Sequence, residues 1–303
     1  MIYNKETEIS YNCIVSFARK VYGKKSYLAS CFFYKWAFTQ NYINIYTSES
    51  KTDEITSMIQ SISTTVNQIQ LESFFNYITD EEHKGDGLRH LLKIKNSAAF
   101  FVPAVYSQKL SLMYEKFGGN KLPFYWYKRY IIPLPSMTSI NYYFKNKKVL
   151  IHDENSGIQI SNIISDQLIN KICKISGLEK KYLKWRLSSV KNSRVFILQN
   201  TEDKSIIVTA IGKRRGVPVL RVISSFGPSE SVKKLIDKAC KLGSSLGVFV
   251  CLVTIPESQS RHLKNDKKYL KRSGINTFIK GNVSAEGFLM LCGDLGLEEQ
   301  LGG

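Results

Sequence analysis

The sequence predicts an α/β (α+β) chain of two similar domains, each a mostly antiparallel sheet flanked by helices. Three observations carry this. A glycine turn, Lys84-Gly85-Asp86-Gly87-Leu88-Arg89-His90, joins a strand-like apolar run at 74–78 to a helical pattern. A short strand at 98–102 and a helix whose end runs from Ser111 to Gly119 follow it. The second half then repeats the order strand, turn, helix, strand. At 303 residues the chain can hold two ordinary domains.

Each element of the first half has its own signal. From Tyr11 to Val21 the apolar residues Ile14, Phe17, Ala18 and Val21 fall on one helical face. The stretch Ser30 to Asn41 is crowded with Phe, Tyr and Trp, which packs a core in most proteins. Asn41 to Thr47 and Glu54 to Ser63 alternate at period two and read as antiparallel strands. Val66 to Ile78 reads as the strand that enters the glycine turn. At such a turn glycine lets backbone approach a ligand, and the next helix directs unpaired amides and its positive dipole end at it. That arrangement suits a phosphate. An ordinary surface turn is the alternative, since Lys-Gly-Asp-Gly is also a common turn string.

The order strand, KGDGL turn, helix, strand, and a helix closing in Met113-Tyr114-Glu115-Lys116-Phe117-Gly118-Gly119 resembles the GCN5-related N-acetyltransferase superfamily of acyl-CoA N-acyltransferases. The resemblance implies acetyl-CoA as donor, cradled by Lys84, Gly85, Gly87, Leu88, Arg89 and His90. It implies Tyr114 as general acid and Glu72, on the strand before the turn, as the base acting through water. It implies Tyr34, Trp36 and Asn41 as acceptor contacts, because sugar-acylating members carry a similar aromatic string. Lys84 stands at the family's Arg/Gln place and Gly87 at its first required glycine. Arg89 replaces a second Gly or Ala, and Gly119 replaces a Phe. His90, inside the helix, also reads as a packing or capping residue.

Pro133-Leu134-Pro135 and the small polar residues after it read as a linker, so the domains divide as 1–135 and 136–303. The second half gives helices at 165–175 and 178–186, strands at 194–199, 205–211 and 217–224, a helix at 228–246 and a buried strand at 248–255. Lys268-Tyr269-Leu270-Lys271-Arg272 echoes the Tyr114 string, so the chain resembles tandem members of the superfamily. Here the phosphate turn becomes Ser224-Ser225-Phe226-Gly227-Pro228-Ser229-Glu230. An acid in the first helical turn caps the helix and repels a pyrophosphate. The second domain therefore reads as a degenerate donor site that shapes the acceptor cleft.

Composition narrows the partners. Forty-three basic against 25 acidic residues give +18, shared almost evenly by the two halves. Such a surface is either plainly solvated or faces a polyanion: coenzyme A, a nucleotide-linked amine, tRNA or a membrane. Seven basic and no acidic residues lie between Lys116 and Leu150, interleaved with aromatics at 124–130. We read 124–130 as an edge strand with aromatics buried and Lys/Arg outside. Six scattered cysteines without a C-x-x-C pair point to no metal and a reducing cytoplasm. The N-terminus is polar from the fourth residue, and the apolar runs are too short to span a bilayer. The expectation is a cytoplasmic acyl-CoA-dependent N-acyltransferase acting on an amine, such as an amino sugar of surface polysaccharide synthesis. Its alternatives are a Fem-type aminoacyl-tRNA-dependent transferase and an inactive binding or scaffold protein of the same fold.

Overall fold

The computed structural model describes residues 11–23, 27–29, 43–49, 54–83, 85–132, 150–153, 156–187, 194–214, 217–272 and 275–281. The readings at Tyr34, Trp36, Asn41, Lys84 and the Pro133 linker lie outside these residues. The chain divides into two compact units.

The first unit contains helix α1 (Tyr11–Tyr22) and a six-stranded sheet. Its strands are β1 (Ile43–Glu49), β2 (Ile55–Val66), β3 (Ile69–Thr79), β4 (Phe100–Val105) and β5 (Asn120–Leu122), joined by β14 (Asn276–Lys280) from far along the chain. The order is β1-β2-β3-β4-β14-β5, antiparallel everywhere except between β3 and β4. The strand expected from Val66 begins at Ile69 instead, after a hairpin turn from β2. Val66 pairs with Ile69, and Asn67 and Gln68 turn the chain with φ of 47° and 68°. A two-residue turn with both central φ positive matches the twist of the strands it joins.

Helix α2 (Gly87–Asn96) links β3 to β4, and α3 (Gln108–Lys116) follows β4. They cover one face of the sheet, packing Leu91, Ile94 and Tyr114 on Tyr46, Ile59, Phe74, Phe100 and Phe278. Ser107 caps α3 by accepting from the Leu110 amide. At its other end the Gly119 amide donates to Tyr114 O and the Gly118 amide to Glu115 O, with Gly118 at φ 85°. The paired glycines thus close the helix in a left-handed turn. A Cβ on Gly119 would lie 3.0 Å from the Phe100 ring, so this glycine also seats the helix end on β4. Lys280 donates to the carbonyls of Lys95 and Ser97, placing a cation at the negative end of α2.

The second unit holds β6 (Phe124–Tyr130), β7 (Leu150–Asp153), β8 (Ile158–Ser161), β9 (Arg194–Asn200), β10 (Ile206–Arg214), β11 (Val217–Phe226), β12 (Val250–Pro256) and β13 (Leu270–Arg272). Their order is β13-β6-β12-β11-β10-β9-β8-β7, with only β11 and β12 parallel. The helices are α4 (Asp166–Ser176), α5 (Lys180–Leu187), α6 (Ser229–Ser245) and α7 (Glu257–Lys264). Val232, Leu235, Ile236 and Ala239 of α6 pack on Leu220, Val222, Cys251 and Val253.

Three readings are revised here. Strand β6 is interior, not an edge, because β13 covers its outer side. Arg129 is not solvated either: its guanidinium pairs with Asp237 at 2.5 Å and bonds the Tyr269 hydroxyl. The two units also do not follow a single cut at residue 135. Strand 124–130 belongs to the second sheet, and strand 276–280 to the first.

Candidate active site

In each unit one strand leads into a turn and then into a helix beside the sheet. In the first unit that strand is β3. Its pairing with β4 is confined to Glu72 with Phe100 and Ser73 with Phe101, after which the two parallel strands part. The register with β2 slips between Met58 and Gln60, leaving an extra residue on β3. A bulge at this place bends the strand and opens the gap.

The turn beyond the gap is built for close approach. A Cβ on Gly87 would lie 2.0 Å from Tyr77 Oη and 2.4 Å from Thr79 Oγ1. Only glycine allows the first turn of α2 to sit so low on the strand. Gly85 meets nothing within 4 Å, so its glycine is not demanded by packing. Asp86 could have capped the helix, but its carboxylate accepts from Thr56 Oγ1 at 2.6 Å and makes no cap bond. The Gly87 and Arg89 amides therefore keep their capacity for an acceptor, whereas the Leu88 amide donates to Gly85 O at 3.1 Å. Thr79 Oγ1, against the same turn, is buried without a partner. Arg89 and Leu88 are exposed, and a groove runs from Arg89 along Leu92, Lys93 and Asn96 to Ser97.

His90 faces inward. Its Nε2 lies 2.9 Å from Ser57 Oγ, and Tyr77 meets it edge-on. Burial pushes its pKa below the ordinary 6.5. A neutral ring in the fold and a titrating ring when unfolded make stability complete above about pH 6.5 and lost as pH falls below it. Lowering pH from 7.5 to 5.5 is therefore expected to destabilise the first unit. Urea midpoints read this, and His90→Gln is expected to flatten the dependence.

Glu72 pairs with Phe100 across β3 and β4, and the Tyr114 ring lies 6.3 Å from the Phe100 ring. Glu72 Oε1 accepts from Tyr46 Oη at 2.9 Å and from Ser61 Oγ at 2.6 Å. The Lys93 ammonium stacks over the Tyr46 ring at 3.9 Å. Tyr114 is 4% exposed, with its ring against Phe100, Phe117 and Phe278. Burial raises its pKa, and the neighbouring Tyr77 adds to the effect. At neutral pH it is thus a protonated phenol. Glu82 and His83 sit before the turn with Asp80, their ligand atoms within 4.8 Å of one another, and Lys20 pairs with Asp80 at 2.5 Å.

The equivalent turn in the second unit is filled from within. Gln259 on α7 donates to the carbonyls of Ser225 at 3.3 Å and Gly227 at 3.2 Å, and Ser225 Oγ bonds its side-chain oxygen. Ser229 Oγ donates to Gln259 O, and Glu230 in the first turn of α6 pairs with Lys234 at 2.9 Å.

The chain superposes on known structures. A putative acetyltransferase from Pyrococcus horikoshii superposes with a TM-score of 0.57 at 15% identity, covering 99% of this chain and 95% of that one. A GCN5-related N-acetyltransferase from Anabaena variabilis gives 0.53 at 9% identity over 92% and 72%. The chain has the GCN5-related N-acetyltransferase fold. Saccharomyces cerevisiae N-myristoyltransferase, solved with myristoyl-CoA bound, shares this fold with a TM-score of 0.52 at 9% identity over 92% and 82%. No family model and no curated protein matches the sequence.

Sequence reasoning singled out the turn and Tyr114 but not the side chains that surround them. Tyr77 and Thr79 set the floor under Gly87, Thr56 holds Asp86, and Tyr46 and Ser61 hold Glu72. Alternation along β3 gave no signal for Tyr77 and Thr79, since it puts them opposite the buried Phe74 and only the bulge returns them to its face.

Proposed function

We propose that the protein is an acyl-CoA-dependent N-acyltransferase, with acetyl-CoA as donor held by the first unit and a small amine as acceptor. The observation that carries this is Gly87, whose missing side chain lets the start of α2 rest on Tyr77 and Thr79. A cradle that a Cβ would fill, beside an orphaned buried hydroxyl, fits a pyrophosphate. The amides of Gly87 and Arg89 would take its oxygens, with Thr79 Oγ1 donating from below, while the Leu88 amide already donates to Gly85 O at 3.1 Å. Arg89 and Lys93 supply positive charge along the groove.

Acyl-CoA would supply a thioester, whose carbonyl an amine can attack. The raised pKa of Tyr114 keeps its proton in place for a departing thiolate. Glu72 is an acceptor-only carboxylate, oriented by two hydroxyls, that can receive a proton through water. In the second unit the corresponding turn bonds to Gln259 and carries Glu230, which supports a donor site in the first unit alone.

Titration with acetyl-CoA and with labelled tRNA at several salt concentrations tests this against a Fem-type transferase. The expected result is acetyl-CoA binding with a shallow salt slope. A tRNA ligand neutralising several phosphates would lose about 0.7–0.9 log units of affinity per log unit of salt for each contact. Steep tRNA binding without acetyl-CoA binding would overturn the proposal. Binding of neither would favour a scaffold.

A further inference from the structure

Among the described residues, the second unit buries three neutral polar side-chain atoms with no hydrogen-bond partner on one face of its sheet. They are Trp126 Nε1, Thr254 Oγ1 and Ser224 Oγ, on residues 4%, 1% and 0% exposed. Register places them together. Thr254 pairs directly with Trp126, and Trp126 with Arg272, so the three share a face across β12, β6 and β13. That face is opposite α6, because the neighbours Tyr127 and Val253 belong to the core under α6. Ser224 joins it through a bulge: Val208 pairs with Ser224 and Thr209 with Val222, leaving Ile223 unmatched. Ser224 therefore turns to the face opposite Val222, which itself packs under α6.

The place is also where the sheet opens. β11 and β12 pair only from Val219–Val250 to Val222–Val253. Thr254 and Ser224 are the first polar residues beyond that point, on the two sides of the gap. A buried polar group left unpaired costs about 1–3 kcal/mol, and three at one opening mark a place where a ligand completes the bonds.

We infer that this opening is a binding site for the carboxylate of a small molecule. An indole N–H can only donate, and both hydroxyls can donate, so the ligand must bring acceptors. Arg272 gives the row a positive charge, and the row contains no acid. One cation and three neutral donors match a monoanion with two oxygens. In the next row Lys128 already donates to Tyr130 Oη, and Arg221 has interactions of its own. The site does not depend on acyl transfer, and carboxylate binding is measurable without any acyl-CoA.

The test uses full-length protein labelled with 15N-tryptophan, in which Trp126→Phe assigns the Trp126 indole signal. Glycine, β-alanine, L-glutamate, succinate and inorganic phosphate are titrated separately. The expected result is a saturable shift of the Trp126 N–H with at least one carboxylate, weakened at least tenfold by Thr254→Val. Should Thr254→Val fail to fold, Ser224→Ala provides the same comparison. No shift with any carboxylate, or a shift with phosphate alone, overturns the inference. So does a high-resolution structure with a water that bonds all three atoms and stays in place at saturating carboxylate.

Discussion

Gly87→Asp is expected to abolish acetyl-CoA binding, while Gly85→Ala leaves it within about twofold. The two glycines are two residues apart in one turn, yet their surroundings differ completely. A Cβ at Gly87 falls 2.0 Å from Tyr77 Oη, far inside van der Waals contact, whereas one at Gly85 meets open space. Overpacking of this kind costs about 1–3 kcal/mol, because the tyrosine or the helix must move. Either movement breaks the alignment of the α2 amides. The carboxylate then places negative charge where a pyrophosphate would sit. Calorimetry of both variants measures the affinities, and Gly87→Ala separates bulk from charge. It is expected to lose at least tenfold in affinity. Equal behaviour of Gly85→Ala and Gly87→Ala would remove the cradle from the account.

Tyr114→Phe is expected to lower kcat by about 10²-fold or more, the ordinary scale of a general acid, with little change in KM. The ring rests on Phe100, Phe117 and Phe278 and packs equally well without its hydroxyl. Thermal stability should therefore hold. A parallel fall in affinity and melting temperature, with turnover per folded molecule intact, would make Tyr114 a core residue. Glu72→Gln probes the carboxylate. Because Tyr46 and Ser61 both donate to the same oxygen, the amide can keep these bonds and lose only its basicity.

The sequence made the alternating strands and the large amphipathic helices legible, because each repeats one period over many residues. α6 was readable from Val232, Leu235, Ile236 and Ala239, all of which lie in the core. Short elements whose partners lie far along the chain were not readable. β14 has five residues and is defined by pairing with β4 and β5 more than 150 positions away. β13 has three residues and turns β6 from an edge into an interior strand. α7, Glu257–Lys264, is mostly polar and buries only Gln259, Ser260 and Leu263, so no apolar stripe announces it. The same holds for the site. Gly87 was visible because a glycine turn is a local signal. The Tyr46–Glu72–Ser61 group was not, since three strands must first be brought into register. Nor was Gln259, whose side chain fills the second turn from a helix thirty residues further on.

The first turn of α2, and not that of α6, is expected to receive the donor's phosphates. Hydrogen–deuterium exchange of the full-length protein, with and without saturating acetyl-CoA, tests it most directly. Slowed exchange over residues 85–91, with residues 226–232 unchanged, is the predicted result. Protection confined to 226–232 would contradict the account.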